Sequence, residues 1–160
     1  MLNPFFHLLE NLGAGIWVGS ISMLAYVVAG TIFREIPSIN MAGSLNGKIL
    51  RKFNQLEGVA AAMMTVSTAY FLVTQNEINT ALALRAVLLV CMIGFLVFYA
   101  RTLTSKMEHL RTVDIQDFDN FDSSKQKFRD EFNRLHKVYT KLVSFNLLMA
   151  VLFISLANLG

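Results

Sequence analysis

Four stretches of the chain stay apolar over lengths that cross a bilayer: Leu12–Phe33, Leu56–Thr74, Ala81–Ala100 and Leu142–Leu159. A helix rises about 1.5 Å per residue, so about 20 apolar residues cover a hydrocarbon layer about 30 Å thick. Arg85 is the charge well inside one of these stretches. The pattern predicts an all-α integral membrane protein, an antiparallel four-helix bundle with residues 1–160 forming one transmembrane domain. Composition agrees. With 54% hydrophobic residues in 160, a water-soluble reading would need a larger core than a chain of this length builds. The first stretch is too long for a signal peptide and no basic segment precedes it, so it is expected to remain as the first span.

Between the spans the polar positions carry their own structure. Pro37 cannot continue the first helix and biases Ile36 toward extended backbone. Ser38 or Asn40 then suits the cap of a second helix. Met41, Leu45, Ile49, Phe53 and Leu56 recur on one face, with Lys48, Arg51 and Lys52 on the other. This is an amphipathic stretch that lies at the membrane surface or leads straight into span two. The short polar link Gln75–Thr80 makes spans two and three a hairpin. Beyond span three, Leu103, Met107 and Leu110 prolong an apolar stripe, and Phe128, Phe132, Leu135, Tyr139 and Leu142 repeat in heptad fashion. Helices three and four should therefore extend as a hairpin into the cytoplasm. Its aspartate-rich tip, Asp114 to Asp122, lacks the glycine and terminal glutamate of an EF-hand loop and is expected to be solvated. Ser123 and Gln126 fit a capping box for the returning helix.

Charge orients the molecule. All but one of the 14 Lys and Arg residues fall between spans one and two or between spans three and four; the exception is Arg85. The positive-inside rule places both long loops in the cytoplasm and both termini outside, in a bacterial inner membrane or a plasma membrane. The membrane interface accounts for the basic balance, so a nucleic-acid partner is not expected. A single cysteine, Cys91, excludes an intramolecular disulfide.

No nucleophile–base pairing, phosphate loop, dinucleotide fingerprint or zinc-spaced Cys/His cluster is present, so neither an enzyme nor a bound cofactor is expected. Polar groups at membrane depth are costly and become the candidates. At the cytoplasmic end these are Arg34, Glu57, Arg101, His136 and Asn146. Arg34 or Arg101 is expected to neutralise Glu57, with His136 and Asn146 completing the hydrogen bonds. At the outer end are His7, Glu10 and Arg85, where a Glu10–Arg85 pair would draw the arginine out of the lipid. The three histidines do not face one another as a transmembrane haem requires. Gly15-x-x-x-Gly19 has the spacing of close helix contacts, and four spans in one chain favour its use within the bundle. Met23, Met63, Cys91 and Met149 fall at similar depth, one per span. They form a conceivable Cu(I) set, although methionine also fills cores.

The run from Ala29 to Pro37, then Met41-Ala42-Gly43 and Gly47-Lys48-Ile49-Leu50, resembles the first-span exit of the transmembrane protein 205-like family, small four-span proteins with domain of unknown function 4149. Tyr99-Ala100-Arg101-Thr102 is similar to that family's third-span exit, with Ala100 where the family often has proline. Phe132, Leu135-His136, Ser144 and Asn146 resemble its final helix. The resemblance implies a four-helix membrane fold without an assigned reaction. It also makes Phe33-Arg34, Arg101, His136 and Asn146 family-typical positions. The expected function is a non-enzymatic accessory or interaction subunit, with the lipid bilayer and another membrane protein or a homo-oligomer as partners. The alternative is a transporter or soft-metal (copper) handling protein.

Overall fold

The computed structural model describes residues 3–75 and 79–157. These form four helices: α1 (Asn3–Glu35), α2 (Ile39–Thr74), α3 (Thr80–Ile115) and α4 (Ser123–Ala157), each long and apolar enough to cross a membrane. No strand occurs among the described residues. Residues 158–160 and the middle of the expected Gln75–Thr80 link lie outside the described set. α1 widens into π-helical turns at Met23–Val28, and α3 does so at Phe98–Leu103 and Leu110–Ile115.

The breaks follow local chemistry. Ile36 adopts extended backbone before Pro37, and the Ser38 hydroxyl accepts the Met41 N–H at 3.1 Å, capping α2. From there α2 runs unbroken for 36 residues. The amphipathic stretch therefore leads straight into the second span. The Asn79 side chain caps α3 by accepting from the Leu82 N–H at 2.8 Å.

Two local expectations need correction. α4 does not begin with a Ser123–Gln126 box. Asp122 accepts the Ser124 N–H at 2.9 Å, and Gln126 donates forward to Asp130 at 2.8 Å. Nor is the aspartate tip merely solvated. Asp119 accepts from the Ser38 hydroxyl at 2.5 Å and from the Ile39 N–H at 2.6 Å. Asn40 donates to Asp117 at 2.7 Å and accepts from the Phe118 N–H at 2.9 Å. The tip thus docks onto the start of α2, where carboxylates complement the helix's free N–H groups. The Asn120 backbone N–H, with the side chains of Asn40 and Asn120, holds the Asp117 carboxyl down at about 2. Gln116, at φ 67°, makes the sharp entry to this tip in a backbone region that side chains seldom adopt.

α1 packs along α2, and α3 along α4; α1 also meets α4 and α2 meets α3. Trp17, Ala60, Met64, Met92, Ala150 and Phe153 fill the centre without exposure. Leu103, Met107 and Tyr139 carry the same core into the extended ends of α3 and α4, with Phe132 and Leu135 packed against it. The close α1–α2 approach rests on Gly13, where an added Cβ would stand 2.9 Å from Met64 Cγ and 3.0 Å from the Ala60 carbonyl oxygen. Gly15 and Gly19 were expected to serve this packing. They face outward, and a Cβ at either would meet nothing within 4 Å.

Candidate functional site

Three helices bring polar side chains to one buried point. Glu57 on α2 is 2% exposed, while Tyr99 on α3 and Asn146 on α4 are fully enclosed. The Tyr99 hydroxyl donates to Glu57 Oε2 and accepts from Asn146 Nδ2 at 3.1 Å. The same amide nitrogen lies 3.3 Å from the Met92 carbonyl oxygen. Asn146 thereby also ties α4 to the α3 backbone. Tyr99 lies in the widened turn Phe98–Leu103, its carbonyl accepts the Thr104 backbone N–H, and the Thr104 hydroxyl also donates to it at 2.9 Å. Tyr139 stands edge-on to Tyr99, with ring centroids 5.6 Å apart.

Of the expected cytoplasmic cluster, the structure brings together Glu57 and Asn146 and leaves out the rest. Arg34 does not neutralise Glu57. Its Nε donates to the neighbouring Glu35 at 3.0 Å, with both side chains mostly in the open. Arg101 is exposed and makes no ion pair among the described residues. His136 does not reach the buried carboxyl either, and its ring lies parallel to Phe132 with centroids 6.4 Å apart. The physical reason is length and solvation. An arginine at a helix end extends its head toward water instead of following its helix into the core. The residue that sequence reasoning missed is Tyr99, already noted at the third-span exit but passed over as an aromatic. A phenol can serve as both donor and acceptor, and it stands beside Glu57 where an arginine was expected.

At the other end Arg85 and Glu10 meet as expected. Arg85 Nη2 donates to Glu10 Oε1, and both side chains are buried. The guanidinium also lies over the rings of Phe71 and Phe153, at 5.9 and 5.4 Å, which supplements the carboxylate. His7 does not join the pair; its ring rests against Phe71 at 4.5 Å. The four sulfur positions diverge. Met149 is buried, but Met23 is half exposed and Cys91 faces outward, so they form no common ligand set. Among the described residues no group of three His, Cys, Asp or Glu side chains is placed to hold a metal ion.

A family profile described as a domain of unknown function (DUF4149) matches residues 12–111, from Leu12 of α1 through all of α2 and most of α3. The chain belongs to the DUF4149 family. Neither the curated proteins nor the solved structures contain a match. The DUF4149 match includes Glu57, Tyr99 and the Gly13 contact, whereas Asn146 is contributed by α4, beyond its end. With four apolar helices, this is a small polytopic membrane protein of the DUF4149 family.

Proposed function

We propose that this protein is a non-enzymatic accessory or interaction subunit that docks a transmembrane helix of another membrane protein along the outer face of α1. The observation that carries the reading is the stripe Leu8, Leu12, Gly15, Gly19, Met23, Tyr26, Gly30 and Phe33, exposed and apolar or small from end to end. Its spacing of three and four residues matches a helix–helix seam, and the outward glycines permit the close backbone approach that drives helix association in lipid. Gly15, Gly19 and Gly30, where an added Cβ would meet nothing within 4 Å, leave backbone open that a partner helix packs against more closely than lipid does. The two buried clamps and the filled centre support a rigid scaffold more than a conduit.

The proposal includes an antiparallel bundle whose charged end, with the α3–α4 hairpin, lies in the cytoplasm and whose termini lie outside. A reporter joined after residue 160 should read the outer side, and one placed at Asn120 the cytoplasm. The opposite readings would reverse the orientation.

The docking surface is tested by Gly15→Leu with Gly19→Leu. Because an added Cβ at either position meets nothing within 4 Å and leucine is a better helix former than glycine, the melting temperature in detergent should not fall. A membrane protein co-isolated with the wild type in mild detergent should be lost from the variant. Equal recovery of partners by both proteins, or a wild type that isolates alone from native membranes, would overturn the reading.

A further inference from the structure

Beside the helix-docking stripe, with which it shares Tyr26 and Phe33, the structure contains a groove of about 440 Å³ between α1 and α4. That volume lies in the range of small-ligand sites. Its floor is apolar and buried, formed by Leu24, Leu50, Met107 and Tyr139. One wall is the flank of α1 that carries Ala25, Ala29 and Phe33. The facing wall is α4, where His136, Thr140 and Ser144 follow at intervals of four residues and present polar groups along one face. The α4 lining runs from Phe132 to Leu147, about 22 Å by helical rise, so the groove is long as well as narrow.

The lining carries little charge for a ligand to meet. Arg111 is paired with Glu108 through Nε at 3.3 Å and Nη2 at 2.8 Å. Gly43 and Gly47 leave room for this pair against α2, with Arg111 Cδ and Glu108 Oε2 each 3.7 Å from where their Cβ atoms would be. A phosphate or carboxylate would have to break that pair. Neutral hydrogen-bonding capacity, by contrast, stands open. Asn46 Oδ1 is buried and lacks a partner. No hydrogen bond joins the His136 imidazole or the hydroxyls of Tyr139 and Ser144 to another described residue. A buried polar atom is ordinarily satisfied, so the open Asn46 oxygen, with the accessible His136 and Ser144 side chains on the groove wall, indicates a ligand with an uncharged polar head.

We propose that the groove binds a single-chain neutral amphiphile of the monoacylglycerol class. The hydroxyl and ester oxygens of the head meet Asn46 and His136, and the chain lies along Leu24, Val143 and Leu147. The groove's length selects an extended chain over a compact soluble molecule, its narrowness selects one chain over two, and the internal Arg111–Glu108 pair selects a neutral head over an anionic one.

The test uses the full chain in nanodiscs with a diazirine-bearing monoacylglycerol, followed by mapping of the cross-linked peptides. Labelling is expected within residues 21–33 and 132–147. An excess of unlabelled monoacylglycerol should suppress it at least 10-fold, and the matching fatty acid at neutral pH much less. Ala29→Trp, which fills the groove from a partly exposed position, should reduce labelling to a similar degree while leaving the melting temperature unchanged. Ser144→Ala with His136→Phe, which keeps the volume but removes the polar wall, should reduce monoacylglycerol labelling several-fold. Labelling spread over the outward face of α3 around Val90, or equal suppression by both competitors, would overturn the proposal. Labelling that resists competition would do so as well.

Discussion

Replacing Arg85 with alanine should lower the stability of the folded protein in detergent by about 3–5 kcal/mol, the cost of stripping one partner from a buried ion pair. The side chains of Glu10 and Arg85 are 1% and 5% exposed, so water cannot replace the lost guanidinium. The substitution also empties the space between the rings of Phe71 and Phe153. Glu10→Gln should cost less, because an amide oxygen still accepts from Arg85, although it leaves the arginine's charge without a counterion. The double variant Glu10→Leu with Arg85→Met removes both charges while keeping bulk, and it should recover most of the loss. Thermal unfolding of the four proteins decides the matter. An Arg85→Ala protein as stable as the wild type would mean that the pair contributes nothing, and an unrecovered double variant would mean that packing against the two rings dominates.

Tyr99→Phe carries the second large expected effect. The hydroxyl is the shared partner of the Glu57 carboxyl and the Asn146 amide. Its removal strands the buried Glu57 carboxyl, at about 1–3 kcal/mol, and leaves the Asn146 amide nitrogen only its 3.3 Å contact with the Met92 carbonyl. Combining Tyr99→Phe with Glu57→Leu should be milder than the sum of the two single changes, because they act on one network. Arg34→Ala and Arg101→Ala should shift stability by no more than about 0.5 kcal/mol, as is usual for exposed side chains. A larger loss from either arginine than from Tyr99→Phe would restore the arginine clamp that the sequence suggested. The two sets of variants can be compared in one unfolding series.

Much of the architecture was legible because each signal is local. Pro37 stops a helix wherever it stands, Ser38 caps by reaching three residues along its own chain, and an apolar run long enough to span a bilayer declares itself. The Glu10–Arg85 pair was also legible, since a lone arginine inside an apolar helix needs an anion and few are on offer. Depth and side-chain type identified Glu57 and Asn146 for a similar reason. The Ser123–Gln126 box failed because Asp122, one residue earlier, starts the helix instead by accepting the Ser124 N–H.

Sequence by itself determined the helical class, the four apolar helices, their main breaks and the set of polar residues that had to find partners inside. Tertiary structure decided which partners they found. Periodicity places a residue on a face of its own helix, but it does not state how that helix is rotated against its neighbours. That rotation makes Gly13 the contact glycine and turns Gly15 and Gly19 outward. It places Tyr99 between Glu57 and Asn146 while Arg34 and Arg101 stay in the open, and it sets the aspartate tip on the start of α2. All of these are relations between distant parts of the chain. Each is chosen by the packing of large side chains such as Trp17, Tyr99 and Phe153, whose fit sets the rotation of every helix at once.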